Sequence, residues 1–248
     1  MANSLGSHKL NLLRRDRLDP RKCFRYFNDF TTVPIDDATA DVTDWELIED
    51  AGSVQAAADK RGGWLNVTSG GTDNNEVYIL SRAQAFIFNT TDELMFECEV
   101  QSTLVGDAQY GWAIGLSDIG AANTLVDNTM AIVSSFDGAV FHYLPAADVA
   151  FTTSNASSQV QTAAAYSWTD GDLVRLGFFY DPNDGTTAKV IPVVNGVEGT
   201  AHDLTISGLA EMNILIGAKA GSGNAQTIGT DWVEVIQRRN ATTDINNL

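Results

Sequence analysis

Between Leu94 and Leu104 the chain alternates with period two. Leu94, Phe96, Cys98 and Val100 fall on one side, and Glu97, Glu99 and Gln101 on the other. This pattern predicts a strand with one face in a core and one in water. Val174, Leu176, Phe178 and Tyr180 repeat it up to Pro182-Asn183-Asp184-Gly185, a turn sequence. Lys189 to Val194 then meets Asn195-Gly196, a type I′ hairpin signal. Asp137-Gly138 predicts a second such turn, between Ala131–Phe136 and Ala139–Tyr143. Shorter runs at Trp45–Ile48, Trp64–Val67, Glu76–Leu80, Trp112–Leu116, Asn213–Gly217 and Trp232–Gln237 bring the total to about a dozen strands. In the body only Ser81–Phe88 hints at a helical period. Strands punctuated by turns predict an all-β chain with two stacked antiparallel sheets, and 248 residues suit one such domain.

The period-two reading begins near Phe24 and ends near Arg239, which predicts an arm over 1–23, a sandwich over 24–239 and a tail over 240–248. Leu5, Leu10, Leu13 and Leu18 permit a short amphipathic helix stopped before Pro20, and an extended arm fits equally well. Ile119–Asn128 and Ala146–Ala165, small and polar, are expected to be surface loops.

Charge divides the chain unequally. Lys9, Arg14, Arg15, Arg17, Arg21, Lys22 and Arg25 are seven of its fifteen cations, and only two of its 32 acidic residues accompany them; the net charge is −17. A cationic leader on an acidic body predicts docking to an acidic partner surface. The acidic body argues against nucleic acid as a partner, because Lys and Arg are what release counterions from phosphate. Leu10, Leu12 and Leu13 run directly into Arg14 and Arg15, so no secretory apolar run is expected, and no stretch approaches the roughly 20 apolar residues of a membrane span. Cys23 and Cys98 lie too far apart for a zinc motif and are expected to be free thiols.

Candidate chemistry is sparse. Glu97 and Glu99, at i and i+2, could supply the two carboxylates of a glycosidase, although a solvated strand face explains them better. His8, His142 and His202 lie near no nucleophile motif, so no catalytic residue and no transition-metal set is expected. Thr72–Glu76 and Asp181–Asp184 offer oxygen ligands for Ca2+, which is weighed against ordinary Asx turns, and no cofactor is expected. Of Trp45, Trp64, Trp112, Trp168 and Trp232, four read as core, and Trp168 in its polar setting is the one candidate glycan platform.

Phe24-Arg25-Tyr26-Phe27-Asn28-Asp29-Phe30, Asp44-Trp45, Gly62–Val67 and Asn75–Tyr78 follow one another in an order that resembles the concanavalin-A-like, laminin-G-like jelly rolls of tailed-bacteriophage structural proteins. Phe178–Asp181, Val193–Val197 and Ile228–Val235 extend the resemblance over about residues 24–239. It implies a jelly-roll sandwich and a non-enzymatic virion component made in the host cytoplasm. The expected role is a capsid decoration or cement protein on the capsid exterior. The expected partners are the major capsid protein, docked through residues 1–25, and further copies of the chain in a homo-oligomer such as a trimer. The alternative is a carbohydrate-binding or tail- and fibre-associated protein that adheres to the host.

Overall fold

The computed structural model describes residues 16–32, 44–57, 60, 62–102, 110–119, 124–127, 131–133, 135–144, 148–156, 158–182, 187–221 and 223–239. Strands are numbered along the chain. One sheet runs β13 (Val197–Glu198), β12 (Thr187–Val194), β11 (Leu173–Asp181), β6 (Leu94–Ser102), β16 (Thr227–Arg238), β4 (Leu65–Ser69) and β3 (Gly52–Ala56). Two more strands make it nine-stranded: β14 (His202–Thr205) pairs with β12, and β1 (Cys23–Asn28) pairs with β16. The second sheet has seven strands: β10 (Gln159–Ser167), β9 (Asp148–Asn155), β8 (Asp137–Leu144), β7 (Tyr110–Ser117), β15 (Asn213–Ala220), β5 (Glu76–Ser81) and β2 (Trp45–Glu49). Every pairing between strands is antiparallel.

Alternation places the core between the sheets. Leu94, Phe96, Cys98 and Val100 of β6 and Val174, Leu176, Phe178 and Tyr180 of β11 face inward. They meet Trp112, Ile114 and Leu116 of β7 and Phe141, Tyr143, Val149 and Phe151 of β8 and β9 in one buried cluster. Phe178 lies 5.2 Å from Phe96 on its own sheet and 5.8 Å from Phe151 on the other, so it ties the two layers. Each such side chain contributes about 1.5–3 kcal/mol when fully buried. Asn195 (φ 50°) and Gly196 (φ 81°) form the left-handed pair that the β12–β13 hairpin requires, as expected.

Three expectations fail. Asp137-Gly138 is no hairpin turn: both residues open β8, Asp137 donates its N–H to Asp118 Oδ1 at 2.7 Å, and Asp137 Oδ2 accepts the Ala210 N–H at 2.8 Å. Gly138 lies against the neighbouring strand, where a Cβ would come within 2.1 Å of the Leu116 carbonyl oxygen. The second expected loop, 146–165, holds β9 and most of β10. Its hydroxyls are absorbed by histidines. His142 Nε2 pairs with Thr152 Oγ1 at 2.9 Å, and the ring of His202 pairs with Thr153 at 3.1 Å and Thr162 at 2.8 Å. A polar strand is thereby buried with its hydrogen bonds made. Ser81 ends β5, and Phe86 forms an isolated bridge to Met212, so Ser81–Phe88 is not helical.

The outer face of the seven-stranded sheet is closed. Leu125, Val126, Ile132 and Phe136 lie over Tyr78, Leu80, Ala113, Val140 and Leu215 as a second buried cluster. Lys219 and Glu76, both wholly buried, face each other at 3.3 Å, and Tyr78 donates its hydroxyl to Glu76 at 3.0 Å. Lys219 also donates to the Val126 carbonyl at 3.1 Å, which fastens the covering segment to the strand beneath.

Candidate functional site

The outer face of the nine-stranded sheet is apolar and buried at Cys23, Met95, Phe179 and Ile236, and it is partly exposed around Glu99, Trp232 and Phe27. In register across it, Phe27 lies opposite Glu234, Glu234 opposite Glu97, and Glu97 opposite Gly177. One step along, Trp232 lies opposite Glu99 and Glu99 opposite Arg175. The register shifts between Thr230 and Trp232, so Asp231 is the extra residue of a bulge. That bulge brings Asp231 beside Glu99, near enough for each carboxyl group to act on the other. Partial burial first, then the charge of Asp231, raises Glu99 above the ordinary carboxylate range, while Arg175 opposes the rise. Burial likewise raises Asp231, with Asp29 adding to it and Lys60 opposing.

Aromatic rings adjoin this pair. Phe27, 45% exposed, stacks on Trp232 with ring centroids 6.4 Å apart and an interplanar angle of 28°. The Arg175 guanidinium lies 5.6 Å from the centre of the Trp232 ring, and that of Arg25 lies 4.9 Å from the Phe27 ring. Next along the face is a polar depression of about 350 Å³ lined by Lys60, Trp64, Asn66, Gln101 and Thr227. Trp64 packs on Gly229, where a Cβ would come within 2.4 Å of its indole nitrogen, and Lys60 lies 4.4 Å from its ring centre. The Trp64 indole donates to Asn66 Oδ1 at 3.0 Å, which leaves the Asn66 amide NH2 available toward the depression.

The expected site residues are distributed differently. Trp168 is 3% exposed, 5.5 Å from Trp112 and 6.3 Å from Tyr166 in edge contacts. The polar neighbours that suggested a platform flank a core side chain, so the platform expectation is corrected: its ring presents no face to a ligand. Glu97 is also buried, at 7% exposure, and reaches Arg175 at 3.8 Å, so the solvated-face expectation holds only for its partly exposed neighbour Glu99.

Of the arm cations, Lys9, Arg14 and Arg15 lie outside the described residues, as does His8. The others are matched within the chain. Arg17 and Arg25 both reach Glu234, at 3.3 and 2.5 Å; Arg21 reaches Asp19 at 3.1 Å; and Lys22 reaches Asp16 at 3.4 Å. Cys23 and Cys98 are buried free thiols.

In the stretch weighed for Ca2+, Glu76 is bound to Lys219, and Thr72 and Asn75 close a turn in which the Asn75 N–H donates to the Thr72 carbonyl at 3.0 Å and Asn75 Oδ1 accepts the Thr72 N–H at 3.0 Å. Among the described residues no group of three or more His, Cys, Asp and Glu side chains could hold a metal ion. Sequence reasoning missed the Glu99–Asp231 pair and the Phe27–Trp232 stack. The one signal available was Trp232 between Asp231 and the outward Glu234 in the sequence.

No protein-family model matches the chain, and no curated protein matches it. Solved structures do. A crystal structure of a protein of unknown function from Shewanella oneidensis MR-1 aligns at TM-score 0.60 and 16% identity, covering 97% of both chains. Peanut lectin aligns at TM-score 0.55 and 14% identity, covering 87% of this chain and 97% of its own. A carbohydrate esterase from the Shiga toxin-encoding bacteriophage phi24B aligns at TM-score 0.51 and 14% identity, covering 79% and 91%. A lectin and an enzyme share the architecture at this distance, so the likeness speaks to fold and not to activity. The chain is an all-β sandwich of two antiparallel sheets with the concanavalin-A and lectin-like jelly-roll architecture.

Proposed function

We propose that the protein binds carbohydrate on the outer face of its nine-stranded sheet, centred on Trp232 and Phe27. The observation that carries this reading is a stacked aromatic pair, Phe27 exposed and Trp232 partly so, bordered by carboxyl and amide groups. Sugar rings present C–H faces to aromatic planes and hydroxyls to polar groups beside them, and both features occur here together. Binding fits the geometry better than hydrolysis. A glycosidase holds two carboxyl groups roughly 5–9.5 Å apart on either side of the bond it cuts, whereas Glu97 is buried against Arg175 and Glu99 adjoins Asp231 at a bulge. The lectin and the phage esterase among the similar structures support a carbohydrate role in general terms. A glycan array probed with the full chain and with Trp232→Ala tests the reading. Binding that Trp232→Ala abolishes is expected; a blank array, or binding that survives the change, overturns it.

A second reading, capsid decoration, keeps the leader as a docking segment for a major capsid protein on the virion exterior. The charge asymmetry favours it, and Arg17 and Arg25 on Glu234 fix where the leader leaves the body. Because the cations from Arg17 onward are matched internally, docking would fall to Lys9, Arg14 and Arg15. Deletion of residues 1–15 should then abolish co-sedimentation with capsids, and undiminished co-sedimentation would remove this reading.

A further inference from the structure

Two glutamates on the outer face of the nine-stranded sheet have almost no contact with water: Glu97 is 7% exposed and Glu234 3%. The register sets them directly opposite each other, and Glu97 lies over Gly177, where a Cβ would come within 3.3 Å of its Cγ. A buried carboxylate is costly unless a cation meets it. Arg175 meets Glu97, and Arg17 and Arg25 meet Glu234.

Arg175 and Arg25 each make a second contact. The Arg175 guanidinium lies over the Trp232 ring and that of Arg25 over the Phe27 ring, and these are the two rings that stack. Arg175, Glu99 and Trp232 sit side by side on β11, β6 and β16, so the arginine reaches across the middle strand to the indole. The third cation–ring contact among the described residues, Lys60 on Trp64, lies on the same face. A chain with 15 Lys and Arg against 32 Asp and Glu thus gathers its ring-bound cations on one surface. Neutralising a buried carboxylate requires the ion pair alone; it does not require that the guanidinium also lie on an aromatic plane.

We infer that Arg175, anchored by Glu97, is a positioning residue of the glycan-binding face and holds the Trp232 ring in the orientation in which it stacks with Phe27 and meets a sugar. This rests on the carbohydrate reading above. A partly exposed aromatic side chain without a fixed neighbour exchanges rotamers, and a ligand that stacks on it must first arrest it. A guanidinium drawn to the negative face of the ring, and tethered by a buried carboxylate, arrests it beforehand. Glu97 therefore acts through Arg175 and not on the sugar, and its burial suits that role. Arg25 on Glu234 stands in the same relation to Phe27.

Acrylamide quenching of tryptophan fluorescence, read beside glycan-array capture by the full chain, tests the inference. Trp232 is partly exposed and the other four tryptophans are buried, so Trp232 dominates the quenchable emission, and Trp232→Phe identifies that component. Arg175→Met keeps an unbranched stem and removes the charge. Glu97→Gln keeps Arg175 and removes its anchor, so simple uncovering of the ring cannot explain its effect; it also relieves the opposition to Glu234 and stays folded if Arg175→Met does not. Both changes should increase quenching and weaken capture of the same glycans by about two- to tenfold, the range expected for immobilising one side chain on binding. Arg175→Lys, which returns a cation to the ring, should restore most of both. Unchanged quenching in Glu97→Gln, capture by the variants equal to the parent's, or a lysine variant no better than the methionine one overturns the inference and leaves the carbohydrate reading standing. A parent chain that captures no glycan overturns both, and that outcome is distinct because the array is blank before any substitution is made.

Discussion

Arg25 Nε lies 2.5 Å from Glu234 Oε1, one of two carboxylates that the sheet register sets face to face. Glu234 and Glu97 are opposed on β16 and β6, and like charges directly opposite destabilise a sheet. Arg25 and Arg17 neutralise the first, and Arg175 the second. The cations nearest the sandwich thus belong to its electrostatics as much as to the leader.

Arg25→Ala should lower stability by about 1–2 kcal/mol. This is less than a fully buried pair would lose, because the arginine is partly exposed and Arg17 remains. Glu234→Gln should cost less than Arg25→Ala, since it also removes the repulsion with Glu97. Urea denaturation of the two variants gives the order.

Lys219→Met should cost about 3–5 kcal/mol, because it leaves the Glu76 carboxylate buried without its cation. Adding Glu76→Gln should recover much of that loss, since the buried charge then goes as well. A double-mutant cycle on denaturation midpoints reads the coupling, and additive losses would contradict it.

The two tryptophans should separate stability from binding. Trp168→Ala empties a core position and should cost about 3–5 kcal/mol. Trp232→Ala removes a partly exposed ring and should leave the thermal midpoint within a few degrees while ending glycan capture. A Trp232→Ala protein as unstable as Trp168→Ala would show that the ring serves packing alone.

Acid should destabilise the fold through His142. Burial lowers this imidazole from 6.5 to about 3, whereas the unfolded chain protonates it at the ordinary value. The unfolded state therefore binds more protons between those limits. The histidine's contribution is complete above pH 6.5 and declines as pH falls toward about 3. His202 is lowered by burial in the same direction. His142→Gln should flatten the dependence of the urea midpoint on pH in this window, and an unchanged slope would exclude His142 as its source.

Strands with large apolar residues in strict alternation, β6 and β11, were legible because one face of each is core and the other is not. The hairpin at Asn195-Gly196 was legible because its backbone geometry admits few other residues. β9 and β10 were not, since Thr152, Thr153 and Thr162 enter the interior only by bonding to histidines, one of them, His202, distant in sequence. Trp168 was misjudged because local polarity does not report which neighbours fold over a ring. The candidate site was the least legible part. Glu99 and Asp231 meet through a bulge, and nothing in the local alternation marks where an extra residue enters a strand.

The bulge at Asp231 also absorbs one residue that β6 leaves unmatched. Deleting it would join Thr230 directly to Trp232 with the flanking residues still on their present sides, Val233 and Val235 inward and Glu234 outward. Deleting Val233 instead would move every later residue of β16 by one position and turn Glu234 toward the interior and Val235 toward water. A one-codon deletion should therefore be tolerated at Asp231 and abolish folding two positions later.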